Sequence, residues 1–285
     1  MKKLSIFVLI YGFTHFSFAQ EINQKEYVVH DPNYSNLVEN FVEEEMIIQG
    51  TDGTMFIKSG EMELKAKLDE FSFINIVKSK FDNNILEKTF IKDRSTMRAN
   101  IMGEIVNRVD SNFIESRTLK FEKLAHNDWK IVDESLLFPQ EIERAEEELL
   151  YLNNYENSTK FDVNYPEKMR IGDSIVLNKE NVKSFYNAEN IEALEGNMVL
   201  REVLTKDDET FAIFDIQLDF YGIVDAKDNA TMNLNMEGTL ERSLDKFYDK
   251  DLKLEGTFRM QGNMSESQTI VLESPATMRL YSKLK

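Results

Sequence analysis

Few residues in this sequence are placed to do chemistry. Beyond the N-terminal run there are two histidines, His30 beside Asp31-Pro32 and His126 within Ala125-His126-Asn127-Asp128. Both fall in segments whose composition reads as lead-in or turn, where a histidine sits in water and makes a poor general base. The chain has no cysteine, which removes a cysteine nucleophile, a disulfide framework and a thiolate metal site together. No His-x-x-x-His or Glu-x-x-His spacing is present to hold zinc, and no glycine-rich run to cradle phosphates. No cofactor and no metal are expected.

Carboxylates and soft apolar residues remain. Asp215 and Asp219 share one face of an alternating run with Gln217 between them; a carboxylate-dependent hydrolase would need such a pair across a cleft, whereas a solvated strand face needs nothing more. The acidic turns Asp225 to Asp228 and Asp245, Asp249, Asp251 offer oxygens to calcium, but the spaced Asp-x-Asp-x-Asp-Gly loop is missing. On the opposite face of the same runs lie Phe214, Phe220, Met232, Met236, Phe258 and Met260. Methionine and phenylalanine together make an adaptable lining, so these six are the candidate ligand-binding residues, with a closed core under the segment from Phe161 to Leu200 as the ordinary alternative. Acceptor patterns for N-linked glycans include those that begin at Asn157, Asn229 and Asn263.

Positioning these residues falls to β-rich elements. Leu37, Val38, Phe41, Val42 and Met46 recur at helical spacing, with Asn36 and Glu39 as cap and partner, predicting a first helix stopped by Gly50-Thr51-Asp52-Gly53. Strands are predicted for Met62 to Leu68, for Phe71 to Phe81 and Ile85 to Ile91 around Asp82-Asn83-Asn84, for Met97 to Val109, and for a hairpin of Phe113 to Leu124 with Trp129 to Val132. Residues 21–138 then form an α+β curved-sheet domain. A second, acidic helix from Pro139 to Tyr155 and a polar linker (139–156) lead into an antiparallel meander over 157–285, whose strands alternate through Ala212–Phe220, Met232–Leu240 and Leu252–Met260. Glycines 238 and 256 opposite Phe258 and Leu240 would let that sheet bend strongly, as a half barrel.

The N-terminus carries Lys2 and Lys3, an apolar run from Leu4 to Ile10 that continues to Phe16, and small residues at Ser17 and Ala19. That pattern predicts a secretory signal over residues 1–20, too short to span a bilayer comfortably, and hence an exported protein without a membrane span after cleavage. Lys plus Arg total 34 against 51 Asp plus Glu, a net charge of −17, which repels nucleic acid.

The helix and meander closing with Phe121-Glu122-Lys123-Leu124 and Trp129-Lys130-Ile131 resemble nuclear-transport-factor-like and cystatin-like curved-sheet domains, which implies a helix packed on a bent sheet and no particular site residues. The second half, entered by Met169-Arg170-Ile171-Gly172-Asp173-Ser174, resembles uncharacterised secreted β-rich proteins. Its outline is similar to the half barrels of periplasmic lipoprotein carriers, a likeness that implies acyl-chain binding by analogy of fold alone. Taken together, the sequence predicts an exported, non-catalytic binding or interaction protein with an unknown protein or apolar ligand as partner. A lipid carrier using the Met and Phe face and a secreted carboxylate hydrolase are the alternatives.

Overall fold

The computed structural model describes residues 25–31, 38–125, 128–154, 161–185, 190–225, 229–265 and 267–285; the expected export signal lies outside them, as do His126, Asn157 and the end of the expected linker. Among the described residues are sixteen strands and one α-helix: β1 (Glu26–Val28), β2 (Phe41–Ser59), β3 (Met62–Asp82), β4 (Ile85–Ile101), β5 (Glu104–Ser111), β6 (Thr118–Ala125), β7 (Asp128–Ile131), α1 (Pro139–Asn154), β8 (Phe161–Val163), β9 (Lys168–Arg170), β10 (Ser174–Asn178), β11 (Val182–Phe185), β12 (Asn190–Lys206), β13 (Glu209–Asp225), β14 (Ala230–Ser243), β15 (Tyr248–Ser265) and β16 (Gln268–Leu284). Twelve of the strands form one antiparallel sheet in the order β10-β12-β13-β14-β15-β16-β2-β3-β4-β6-β7, with β5 also on β4. The C-terminal strand β16 pairs with β2 from Gln268↔Ser59 to Leu284↔Phe41, so a single sheet runs from the first long strand to the last.

This architecture overturns the expected α+β N-terminal domain. Val38–Asn40 makes one 3-10 turn, and the residues assigned to a first helix begin β2 instead. The helical spacing arises from a bulge. Leu284 pairs with Phe41 and Lys283 with Glu43, leaving Val42 as an extra residue, so burial falls on Phe41, Glu44, Met46 and Ile48. One inserted residue in a period-2 strand produces an i, i+3 step that imitates a helix. Gly50-Thr51-Asp52-Gly53 is likewise a bend within β2. Another bulge, at Asp69, shifts the alternation of β3 from Ala66 and Leu68 to Phe71 and Phe73, so two predicted strands are one. Conversely, the run from Met97 to Val109 is broken by a two-residue turn with positive φ at Met102 and Gly103.

These irregularities line up. On the core face, Phe71, Gly50, Ala276, Gly256 and Met236 occupy one row across β3, β2, β16, β15 and β14. The row holds three very small residues between large ones, and over them the Phe71 and Phe258 rings meet at 4.9 Å between centroids. Three strand spacings, roughly 14 Å in a flat sheet, separate their strands, so the sheet must bend here to bring the rings together. Ser274 Oγ donates to the carbonyls of Thr51 (3.0 Å) and Pro275 (2.8 Å) inside this crease. The register differs from the predicted one: Gly238 faces Leu254, and Gly256 faces Met236, because the β14–β15 turn comes at Leu244–Phe247, earlier than the acidic cluster suggests.

The core face is covered on the same side by two inserts. The β8–β11 and β1–β9 pairs lay Phe161, Tyr165, Met169 and Phe185 on it, with Phe185 at 5.0 Å from Phe220 and Tyr165 at 5.9 Å from Phe214. A buried charge anchors this cover: Arg242 donates to Asp249 Oδ1 (2.7 Å), to the Val29 carbonyl (2.9 Å) and to the Phe247 carbonyl (3.0 Å), and Tyr165 Oη donates to the same carboxylate (2.7 Å). Burial and the Asp249 carboxylate push the Tyr165 phenol well above its ordinary range. At the other end, α1 lays Ala145 and Leu152 on Leu86, Phe90, Phe121 and Trp129. There Lys88, only 3% exposed, donates to Glu148 (2.7 Å) and lies 3.5 Å from Glu44. Desolvation alone would lower the Lys88 pKa, but the two carboxylates outweigh it and hold it above normal.

Gly50 tests the crease. A Cβ there would lie 2.2 Å from the Phe71 ring and 2.7 Å from the Pro275 carbonyl, and the carbonyl belongs to a paired backbone that cannot swing away. Gly50→Ala should therefore destabilise the protein by about 1–3 kcal/mol, read as a lowered urea midpoint with unchanged slope. An unchanged midpoint would show that the crease tolerates widening.

Candidate functional site: a polar trough along the crease

Five of the six candidate residues, Phe214, Phe220, Met232, Met236 and Phe258, are at most 2% exposed and belong to the main core cluster, while Met260 is half-buried against it. Asp215 and Asp219 do share the outer face, but each has a partner: Arg201 Nη1 donates to Asp215 (2.7 Å), and the Asn235 amide donates to Asp219. The carboxylates of the second acidic turn are committed too, while residues 226–228 of the first lie outside the described residues. Asp245 accepts the Thr210 amide (2.6 Å), Asp249 holds Arg242, and Asp251 holds Arg279. Among the described residues no group of three or more His, Asp or Glu could hold a metal ion. His30 contributes its backbone, whose amide donates to the Glu167 carbonyl.

Two concavities lie on the face opposite the core. Two adjoining pockets of ≈ 690 and ≈ 720 Å³ share Gln49, Thr277, Glu255 and Glu237. Register explains the sharing: Gln49 faces Thr277, Thr277 faces Glu255, and Glu255 faces Glu237, one exposed row over β2, β16, β15 and β14. One pocket extends toward Asp215, Lys253 and Arg279, the other toward Gln217, Asn235 and Thr51. The second is also lined by Gly50, Gly256, Pro275 and Ala276, so the trough follows the crease.

Charge in the trough is unevenly satisfied. Arg279 grips Asp251 through Nε (2.8 Å) and Nη2 (3.0 Å) and reaches Glu45 (3.4 Å), and Lys253 lies 2.8 Å from Asp251. Burial acts to raise the Asp251 pKa, but the hydrogen bonds from Arg279 and Lys253 outweigh it and hold the carboxyl below its ordinary value. Burial pushes Glu45 up, with Arg279 only partly opposing. Arg201 is taken by Asp215 and Glu202. Glu237 and Glu255, by contrast, face each other directly across β14 and β15 with no ion-pair partner among the described residues, an arrangement that costs stability between like charges. Sequence reasoning missed this pair because only the register brings 237 and 255 together. The available signal was that both belong to the polar set of adjacent alternating strands.

Two outcomes are expected. Met236→Asp and Phe258→Asp should each lower stability by more than about 4 kcal/mol, since a lone carboxylate in a closed core is among the most destabilising substitutions; a folded, cooperative melt for either would show that the face opens. For Asp251, a folded pKa below the unfolded value means a contribution present above the ordinary value of 3.8 and lost as pH falls through the depressed one. The melting-temperature gap between wild type and Asp251→Asn should therefore be open at pH 7 and close at acid pH; a gap constant to low pH would contradict the pairing with Arg279.

No family model matches the chain, and no curated protein matches it. Among solved structures, one on lipid–protein interactions in lipovitellin aligns with 87% of this chain and 25% of its own, at 10% identity and a TM-score of 0.36. The binding domain of botulinum neurotoxin serotype C1 aligns with 85% of this chain and 79% of its own, at 11% identity and a TM-score of 0.10. The chain thus spans about a quarter of the lipovitellin chain it matches.

Proposed function

We propose that this chain is an exported, non-catalytic binding protein whose recognition surface is the polar trough, and that its partner presents cationic, hydrogen-bonding groups such as the side chains of a lysine- or arginine-rich peptide segment. The Glu237–Glu255 pair carries this reading. Two opposed carboxylates that line both pockets repel each other, and an ammonium or guanidinium seated between them relieves the repulsion and gains charge-assisted hydrogen bonds. Gln49, Thr277, Gln217 and Asn235 around them supply neutral donors and acceptors for a peptide backbone. Export is supported by the basic, apolar and small-residue succession at the N-terminus.

Titration calorimetry with a deca-lysine peptide tests this. The double variant Glu237→Gln/Glu255→Gln should lose binding at least tenfold, and should itself melt higher than wild type because the repulsion is gone. A control with equal net charge, Glu61→Gln/Glu63→Gln at the β2–β3 tip, should bind as wild type does. Equal losses in the two variants would reduce the effect to the overall charge and sink the proposal.

An apolar-ligand carrier is the second reading, on one observation: Ile57, Ile101, Met260 and Ile270 are only partly buried where they pack on the main core. Saturable capture of a fluorescent fatty acid, abolished by Met260→Asp in a protein that stays folded, would favour it over the trough.

A further inference from the structure

β5 is a sheet edge left open. It hydrogen-bonds only to the second half of β4, Arg94↔Ser111 through Ile101↔Glu104, and among the described residues no strand pairs with its other side. All eight of its residues are exposed, including Ile105 at 56% and Val109 at 62%, and Met102 at its tip is 86% exposed. An eight-residue edge that exposes Ile105, Val106 and Val109 and carries no lysine can template pairing with another chain, and its charges, Glu104, Arg108 and Asp110, then decide which register is allowed. From the geometry of β5 we infer that its edge is an interface between two copies of this chain, paired antiparallel about Val106. The proposal is independent of the trough, which lies on other strands.

Register and charge choose the partner. Because Ile101 and Glu104 close the two-residue turn, the backbone groups of Ile105, Asn107 and Val109 face the open edge. Two copies related by a twofold axis through Val106 set Ile105 opposite Asn107 of the second copy, both with outward amides, and so exchange backbone hydrogen bonds. The same register places Glu104 opposite Arg108 of the second copy, twice by symmetry, and Val106 opposite itself, at the closely approaching non-hydrogen-bonded positions. Shifting to centre on Asn107 would oppose Glu104 with Asp110, and centring on Arg108 would oppose two arginines; both are like-charge contacts. Within one chain, Glu104, Val106 and Arg108 have Ile101, Ala99 and Met97 as their neighbours on β4, so Glu104 finds no cation across the strand. Among the described residues Arg108 is paired only with its own Asp110. In this register the second copy's strand also ends at its own Met102-Gly103 tip opposite Val109 and Asp110, short of the corner at Asn112–Arg117.

Sedimentation equilibrium of the full exported chain over micromolar to hundreds of micromolar concentration tests the inference. Wild type should be a reversible dimer, and amide exchange at Ile105 and Asn107 should slow as dimer forms. Glu104→Arg and Arg108→Glu, each on the exposed edge and checked for an unchanged melt, should each weaken association at least tenfold, since each opposes like charges. An equimolar mixture of the two should dimerise again, because each variant then meets its complement. A wild type that stays monomeric overturns the inference and leaves the edge to a strand from a different protein. A dimer that survives both single variants, or a mixture that fails to recover, places the contact elsewhere and overturns it equally.

Discussion

The contact between Phe71 and Phe258 over Gly50 and Ala276 is the constraint on which the rest of this molecule depends. Their strands are three apart, and the rings meet only because the residues between them have almost no side chain and the sheet bends along that line. A flat sheet of twelve strands would expose an apolar face too wide for the short inserts available to cover it. Bending turns that face toward itself, so that the residues of β3, β13, β14 and β15 share one core cluster with Phe161, Tyr165 and Phe185. The same bend shapes the opposite face into the trough. Core closure and candidate site are therefore two consequences of one row of small residues.

The inserts are held on the core face by charge as well as by apolar contact. Arg242, 4% exposed, spreads its guanidinium over Asp249, two backbone carbonyls and the Tyr165 ring at 3.7 Å. Lys88 does the corresponding work for α1 between Glu148 and Glu44. Buried pairs of this kind add little net stability over apolar replacements, but losing one partner strands the other charge in the interior at a cost of about 3–5 kcal/mol. Each therefore fixes where an insert sits more than how tightly it is held.

Much of the strand content was legible, because alternation survives wherever strands are regular, as in β13, β14 and the middle of β15. What misled was irregularity. The bulge at Val42 made strand residues recur like a helix, the bulge at Asp69 split one strand into two, and the Met102-Gly103 turn fell inside an alternation that continued unbroken across it. Pairing order was invisible, since nothing local indicates that residues 268–284 lie beside residues 41–59. The trough suffered the same limit. Its polar residues could be assigned to a solvated face, yet Glu237 meets Glu255 only through the β14–β15 register, and Gln49 joins them only through β16. The six Met and Phe residues were correctly placed together on one face; what covers that face is decided by short strands whose three to five residues carry no periodic signal.

The pairing of β16 with β2 also sets the order in which the molecule can be completed. β2 has β3 as its neighbour within one hairpin, but its other edge stays unpaired until β16 exists, and a backbone bond from the Lys285 amide to the Asn40 carbonyl at 3.0 Å continues the β16–β2 seam in the middle of the sheet. Contacts of such sequence separation make folding slow, because loop closure precedes the reward. They also leave the Gly50 crease without Ala276 and Pro275 to bend against in the interim. The crease, the main core and the trough thus all depend on the β16–β2 pairing, whereas the cluster of Val77, Leu86, Phe90, Phe121 and Trp129 under α1 draws on no residue of β16.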